Sequence, residues 1–295
     1  MENLHTSISR NAIIMAAGTA SRFVPLSAER PKGLLEVKGE ILIERQIRQL
    51  QEAGITDITI VVGYRAELFT YLQEKFGVNL VLNEDYACYN NTSSLVRVAD
   101  RLADTYICCS DNYFPHNVFL ENPQESYYAA RYAAGPTGEY CLITDEANYI
   151  RQVTIGGTDA WYMNGHVYFN QAFSQAFSRL LIKEYDKPET RNGYWEDLYI
   201  RHINELPLMK IHKYKEGSIY EADSLDELRL FDTSYLDDTR STILKQIAQQ
   251  MNWRERDMSH FTRVKHEGKD LRFTFQVGTE LYLYDSHFPH PQRIE

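Results

Sequence analysis

The sequence predicts an α/β protein built on a mostly parallel sheet. Three observations lead there. Strand-like and helix-like segments alternate through the first hundred or so residues. The helical segments stop at glycines. From about Tyr127 onward the pattern changes to strand-rich stretches. A βαβαβαβ order implies parallel strands covered by helices, with ligands bound at the carboxyl ends of the strands.

Taken in order, Asn11 to Ala16 is an apolar run that reads as a strand, followed by Ala17-Gly18-Thr19. Ile41 to Ala53 has helical spacing and stops at Gly54, and Ile58 to Val62 is a β-branched strand. Ala66 to Phe76 reads as a helix closed by Gly77, and Val78 to Leu82 as a strand. Ser93 to Leu102 is helical, and Tyr106 to Cys109 is a strand ending at Ser110-Asp111. Strands over Tyr127–Tyr132, Tyr140–Thr144, Ile150–Ile155 and Gly165–Phe169 are expected to extend the same sheet in antiparallel fashion. Helices are expected over Ala172–Glu184 and Trp195–Asn204. A strand near Met209–Tyr214 leads into the strand-like run before Asp223. The core domain is expected to close near Phe231, giving a division into 1–231 and 232–295. In the second part, Ser241–Met251 is helical. Leu271, Phe273, Phe275 and Val277 alternate with polar residues before a turn at Gly278-Thr279 and a strand Leu281–Tyr284, so a helix plus hairpin is predicted.

The chain has 295 residues and a formal net charge of −10. This acidity argues against sequence-independent binding to a nucleic-acid backbone, which needs clustered Lys and Arg. No apolar run is long enough to span a membrane, and Met1 to Arg10 is polar, so a cytoplasmic location is the expectation. Cys88, Cys108, Cys109 and Cys141 lack metal-site spacing and read as reduced, buried thiols. The 21 tyrosines are unusual: they serve either as core filler or as material for cation and base recognition.

The strongest local signal is Ile13-Ile14-Met15-Ala16-Ala17-Gly18-Thr19-Ala20-Ser21-Arg22-Phe23, followed by Arg30-Pro31-Lys32. A strand ending in a loop of small residues lets backbone N–H groups approach a polyphosphate, which Arg and Lys neutralise. From Ala16 to Gly39 there are four basic residues (Arg22, Arg30, Lys32, Lys38) against two acidic ones (Glu29, Glu36), a local positive region in an acidic chain. Taken alone, the glycine loop reads equally as a tight strand-to-helix turn.

The stretch resembles the signature loop of the nucleotide-sugar pyrophosphorylase-type nucleotidyltransferases, and thereby implies their Rossmann-like three-layer fold. Ala20 stands where that family carries its second glycine, a position at which a Cβ is tolerable only with negative φ. Further segments resemble the CTP:phosphocholine cytidylyltransferases: Asn83-Glu84-Asp85-Tyr86-Ala87-Cys88-Tyr89-Asn90-Asn91, Ser110-Asp111-Asn112-Tyr113, Tyr194-Trp195-Glu196-Asp197 and Ser218-Ile219-Tyr220-Glu221-Ala222-Asp223-Ser224. The resemblance runs from about Asn11 to Phe231. It implies that Ala16, Ala17, Gly18, Thr19 and Ala20 form the phosphate loop, and that Asn90, Asn91 or Ser94 reads cytosine. An Asx turn capping the helix at Ser93 is the competing reading. It also implies that Asp111 and Asp223 hold Mg²⁺, for which hard carboxylate oxygens are suited, with Arg22 and Lys32 beside them in the catalytic group.

The same resemblance places the second substrate's head group at Tyr140, Tyr194 and Trp195, near Glu196 and Asp197. From Lys183 to Asp197 there are three basic residues (Lys183, Lys187, Arg191) and five acidic ones (Glu184, Asp186, Glu189, Glu196, Asp197), a local charge suited to a cation. A quaternary ammonium cannot donate N–H bonds and is held by π faces and carboxylates. A helix start packed on the core is the alternative for these aromatics.

Nothing suggests covalent catalysis, since the nine histidines are scattered and no Ser or Cys lies in a nucleophile-elbow context. Phe261-Thr262-Arg263-Val264-Lys265-His266, Phe273-Thr274-Phe275 and Tyr282-Leu283-Tyr284 weakly resemble the amino-terminal lobe of bacterial choline kinases. No kinase activity is expected, and packing or a homodimer contact is the plain role for 232–295. The expected activity is transfer of CMP from CTP to phosphocholine. The alternatives are a cytidylyltransferase for 2-aminoethylphosphonate or phosphoethanolamine and, more remotely, a non-catalytic nucleotide-binding regulator.

Overall fold

The computed structural model describes residues 10–265 and 270–294. The leader up to Ser9, and His266 of the kinase-like run, lie outside the described residues. The chain forms two compact units, one of Met1–Gly18 with Leu42–Tyr220 and the other of Thr19–Ile41 with Glu221–Glu295.

In the first unit, β1 (Asn11–Ala16), α1 (Leu42–Glu52), β2 (Asp57–Val62), α2 (Tyr71–Phe76), β3 (Asn79–Leu82), α3 (Thr92–Leu95) and β4 (Thr105–Cys109) follow one another as the sequence predicts. They continue into β5 (Tyr127–Thr144), β6 (Ile150–Phe169), α4 (Gln171–Glu184), α5 (Pro188–Arg191), α6 (Trp195–Arg201) and β7 (Lys210–Lys213). The seven-stranded sheet has the order β3-β2-β1-β4-β6-β5-β7. Strands β1 to β4 are parallel, β6 runs antiparallel to β4 and to β5, and β7 is parallel to β5. Its core centres on Phe169, Phe173, Phe177, Leu181, Trp195, Leu198 and Tyr199, all buried.

Three elements differ from expectation. The helix over 66–76 breaks into a 3₁₀ turn, Ala66–Phe69, and α2, because Arg65 starts it in the left-handed region without a side-chain cap. The helix over 93–102 ends after α3 and continues as 3₁₀ turns in which Val98 is non-helical (φ −128). β-Branched Val96 and Val98 pay in χ1 freedom for any regular helix there. The four short strands of the extension are two long ones. The ladder passes through register shifts between Ala133 and Pro136 and between Thr137 and Tyr140, with Gly135 and Gly156 at positive φ. The run before Asp223 is not a strand; Tyr220 makes a single antiparallel bridge to Tyr113.

In the second unit, α7 (Leu225–Phe231) and α8 (Thr242–Met251) accompany a four-stranded antiparallel sheet of β8 (Met258–Arg263), β9 (Arg272–Val277), β10 (Glu280–Asp285) and β11 (Gln292–Arg293). The predicted hairpin is β9–β10, and β8 and β11 flank it. Phe273 and Phe275 are fully buried and their rings meet Phe261, Tyr282 and Tyr284. Thr19–Ile41 belongs here: Lys38 N–H donates to Asp232 Oδ2 (2.7 Å), the buried Tyr235 hydroxyl donates to Glu36 O (2.7 Å), and Thr242 N–H donates to Glu29 Oε1 (2.8 Å). The expected division at 231/232 therefore falls inside this unit.

Two further expectations are corrected. Cys108 and Cys141 are buried thiols, but Cys88 and Cys109 are exposed, because Cys88 lies in the turn after β3 and Cys109 ends β4. Ala20 has φ 46 and ψ 48, in the left-handed region rather than at negative φ. The turn into the following 3₁₀ helix, closed by Phe23 N–H on Ala20 O (2.8 Å), imposes that geometry. Among the described residues, no helix is long and apolar enough to cross a membrane.

A left-handed alanine costs about 1–2 kcal/mol, and glycine's extra unfolded-state entropy offsets up to about 1 kcal/mol of the relief. Ala20→Gly is expected to stabilise the protein by about 0.5 kcal/mol in urea unfolding. A destabilised Ala20→Gly would show that the alanine methyl makes a contact worth more than the backbone strain.

Candidate functional site

The chain leaves β1 toward β2 on one side of the sheet and reaches β4 on the other, so the carboxyl ends of β1 and β4 flank the topological switch point. Open parallel sheets bind ligands in that crevice. Ala16-Ala17-Gly18 emerges there from β1 and Ser110-Asp111 from β4, with Ser110 N–H donating to Met15 O (3.2 Å). Ala17 O accepts from Tyr64 N–H (3.0 Å).

Sequence reasoning passed over two supports of these loops. A Cβ on Gly63 would lie 2.7 Å from Tyr86 Cβ and 3.0 Å from Ala17 Cβ, so only glycine fits between the phosphate-loop candidate and the tyrosine. The segment after Asp111 is held by α1: Arg45 Nε donates to Phe114 O (3.0 Å), Gln46 Nε2 to Cys109 O (3.1 Å) and Gln49 Nε2 to Phe114 O (3.0 Å). Gln46 and Gln49 are buried on a helix whose apolar residues face the core. Polar residues at inward helical positions were the available signal.

In the second unit the predicted Arg22, Lys32 and Asp223 come together. Asp223 pairs through Oδ2 with Arg22 Nη2 (3.1 Å) and through Oδ1 with Lys32 Nζ (3.3 Å). Glu221 Oε1 lies 3.9 Å from the same ammonium. The Lys32 side chain is only 11% exposed whereas that of Arg22 is 77% exposed, so the lysine is the fixed charge and the arginine a movable one. Asp223 N–H donates to Glu227 Oε2 (2.8 Å) and Ser224 caps α7, which holds the aspartate at a helix start. Thr19 and Ala20 belong to this unit by sequence position.

The head-group candidates form the second cluster of the first unit. Helix α6 begins with Tyr194 N–H donating to Asp197 Oδ2 (2.9 Å), and Tyr140 OH donates to Asp197 Oδ1 (2.8 Å). Glu196 accepts from Tyr128 OH (3.1 Å) and from Asn91 Nδ2 (3.3 Å). Burial pushes the Glu196 carboxyl up to about 7; hydrogen bonds from its own backbone N–H, Asn91 and Tyr128 oppose the rise and the Asp197 charge adds to it. Burial, and then the Asp197 carboxylate, raise the Tyr140 hydroxyl. Thus each carboxylate is held by a tyrosine of β5. Asn91 and Thr92 fasten the loop before α6, through Trp195 N–H on Asn91 Oδ1 (2.8 Å) and Thr92 Oγ1 on Gly193 O (2.7 Å).

The expected residues separate in kind. Tyr194 is 46% exposed and Tyr140 is half-buried. Trp195 is in the core, edge-on to Phe169 and Phe177 and stacked at 5.9 Å on Tyr128. The buried Ser94 hydroxyl accepts from Asn83 Nδ2 (2.9 Å), and Asn90 Oδ1 accepts from the adjacent Asn91 N–H (2.8 Å), with no side chain capping α3. Tyr128, Thr92 and Gly193 are additions. A Cβ on Gly193 would meet Glu189 O at 2.8 Å and Asp197 Oδ2 at 3.1 Å. Its place just before an aromatic and acidic helix start was the visible clue. Among the described residues, no group of three or more His, Cys, Asp or Glu is placed to hold a metal.

A phosphate-loop candidate after β1, a carboxylate after β4 and a separate anionic, tyrosine-lined cluster are what a transferase joining a nucleotide to a cationic acceptor requires. Residues 12–120 match the MobA-like NTP transferase domain. The chain is 35% identical over 218 residues to a choline-phosphate cytidylyltransferase of Streptococcus pneumoniae, covering 74% of this chain and 95% of that protein. It is 37% identical over 230 residues to a 2-aminoethylphosphonate cytidylyltransferase of Lancefieldella rimae, covering 77% and 93%. The solved structure of the CTP:phosphocholine cytidylyltransferase from Streptococcus pneumoniae superposes with a TM-score of 0.74 at 34% identity, over 77% of this chain and 99% of that one. Sequence and fold together place the chain in the family of nucleotidyltransferases that contains these choline-phosphate and 2-aminoethylphosphonate cytidylyltransferases.

Proposed function

We propose that the protein transfers CMP from CTP to phosphocholine, giving CDP-choline and pyrophosphate. The observation that carries the choice of a cationic acceptor is the Glu196–Asp197 pair, each carboxylate steadied by a tyrosine hydroxyl beside the exposed Tyr194. A carboxylate pair with an aromatic face suits a quaternary ammonium better than the hydroxyls of a sugar phosphate.

In the reaction a phosphocholine phosphate oxygen attacks the α-phosphorus of CTP in line. The new P–O bond forms as the bond to the β-phosphate oxygen breaks, and pyrophosphate leaves with that electron pair. The attacking phosphate, with a second pKa near 6, is already ionised at neutral pH and needs no general base. Repulsion between two anions is the barrier to be lowered, and Lys32 and Arg22 are the cations assigned to it. A polyphosphate drawn to Lys32 and Arg22 would compete with Asp223 for both cations. Mg²⁺ suits the carboxylate donors of Asp111 and Asp223, with the remaining ligands drawn from water and substrate phosphate. When bound, the ion supplies charge neutralisation. Asn90 is the amide assigned to cytosine, since the Asn91 amide is engaged by Trp195 N–H and Glu196.

A second reading, transfer to 2-aminoethylphosphonate, is favoured by one observation. Glu196 accepts from Tyr128, Asn91 and its own backbone N–H and Asp197 from Tyr140 and Tyr194, fewer donors than the roughly four lone-pair sites of each carboxylate, which leaves acceptor capacity for a primary ammonium.

Pyrophosphate release with CTP or UTP against phosphocholine, phosphoethanolamine, 2-aminoethylphosphonate and a sugar 1-phosphate tests both readings. Preference for CTP with phosphocholine is expected, and release with none of the acceptors would remove the enzymatic reading. Lys32→Ala should lower kcat/KM for CTP by about 10²–10³-fold, the scale of losing one preorganised charge partner. Asp111→Ala should abolish turnover with unchanged circular dichroism. Gly193→Ala, by pushing Asp197 aside, should raise the acceptor KM about tenfold while leaving the CTP KM within about twofold.

The pH dependence follows from Glu196. Its carboxyl must be ionised to attract the ammonium, and with a pKa of about 7 it takes up a proton as pH falls, so kcat/KM for the acceptor should drop below pH 7. Glu196→Gln should lower the plateau and leave only the limb near pH 6 that belongs to the substrate phosphate. A limb near 7 that survives Glu196→Gln would assign it to another group.

A further inference from the structure

Asn91 lies in the segment assigned to cytosine, yet its side-chain amide is committed to the acceptor site. Oδ1 accepts from Trp195 N–H (2.8 Å) and Nδ2 donates to Glu196 Oε2 (3.3 Å). Its backbone faces the other way. Asn91 N–H donates to Asn90 Oδ1 (2.8 Å), and its carbonyl accepts from Ser94 N–H (2.9 Å) and Leu95 N–H (3.1 Å) to start α3. Asn90 O accepts from Ser93 Oγ (2.8 Å), and the Ser93 and Ser94 hydroxyls accept from Asn83 Nδ2 (2.9 Å each). Asn83 N–H in turn donates to Val62 O at the end of β2 (2.8 Å). A continuous run of hydrogen bonds thus leads from the sheet, through the loop, to the Glu196 carboxylate. Asn83, Ser93 and Ser94 in that run are buried, so it has few alternative partners.

We infer that Asn91 is a positioning residue that couples the two substrates, an inference that rests on the proposed readings of Glu196 as the head-group carboxylate and of the loop before α3 as the cytosine site. A nucleotide seated on the loop fixes the Asn91 amide, and the amide holds Glu196 oriented and ionised for the acceptor's cation. The groups facing Glu196 make this amide decisive. Asp197 on α6 disfavours the charge, and from β5 only the neutral Tyr128 hydroxyl donates to it while Tyr140 is spent on Asp197. Beside the carboxyl's own backbone N–H, Asn91 at the start of α3 is the donor that ties it to the loop. Losing it leaves the carboxylate harder to ionise and free to turn.

The test uses the full chain with Mg²⁺ and the non-reactive α,β-methylene analogue of CTP. Calorimetry should show that the analogue tightens phosphocholine binding by about fivefold or more, a coupling of the usual allosteric size. In Asn91→Ala the tightening should fall below about twofold. The variant's kcat/KM for phosphocholine should fall further than that for CTP, and the acidic limb of the acceptor profile should move to higher pH. Asn91→Asp, which keeps an acceptor for Trp195 N–H but sets a second negative charge beside Glu196, should move the limb further up with the melting temperature kept. It decides the matter if Asn91→Ala does not fold. Absence of coupling in the wild type, or full coupling and an unmoved limb in a folded variant, overturns the inference while leaving the activity in place. Absence of pyrophosphate release with every acceptor overturns the functional reading instead.

Discussion

Because β1 is hydrogen-bonded in parallel on both edges, to β2 and to β4, its backbone is fully engaged and its chain can change course only at the carboxyl end. Parallel neighbours need crossover connections, so the helices between these strands cover the faces and leave that end open. Ala16-Ala17-Gly18 and Ser110-Asp111 are consequences of this pairing. So is the demand for glycine at 63, where the neighbouring strand's exit, Ala17 and Tyr86 converge too closely for a side chain.

The acceptor cluster meets a different constraint. Two adjacent carboxylates at a helix start repel each other and lose hydration, a combination that ordinarily drives one of them to bind a proton. The chain answers by giving each its own tyrosine from β5 and by using backbone or side-chain N–H groups for the remaining oxygens. The compensation is incomplete at Glu196, whose carboxyl stays well above the usual range. A group so poised responds to a cation, because the ligand's charge supplies what the protein withholds.

Much of this was legible in the residues, and the gaps have physical causes. Strands β1 to β4 and the helix α1 are read correctly because their apolar periodicity and glycine stops act locally. The long β5 and β6 are expected as four strands, because nothing local shows that bulges at Gly135, Pro136 and Gly156 let the ladder continue. In the acceptor cluster, Tyr194, Glu196 and Asp197 stood out together. Trp195 could not be told from them, since its burial depends on Phe169 and Phe177, far away in sequence. Tyr128 and Thr92 were invisible for the same reason. Their roles exist only after β5 and α3 have been brought to the start of α6. Ala20 shows the reverse case, where a side chain was expected to dictate φ and the hydrogen-bonded turn dictated it instead.

The second unit is assembled from Thr19–Ile41 and from residues after Tyr220, and this sets an order of events during synthesis. Lys32 meets Asp223 across 191 positions, Glu36 meets Tyr235 across 199 and Glu29 meets Thr242 across 213. Contacts of such separation form late, since the loop-closure entropy must be met before they contribute anything. On the ribosome the parallel strands of the first unit can pair while Arg22 and Lys32 still lack their carboxylate partners. Chains interrupted before the last segment emerges would therefore display two unneutralised cations, a species that polyanions and chaperones would meet but the finished protein does not present.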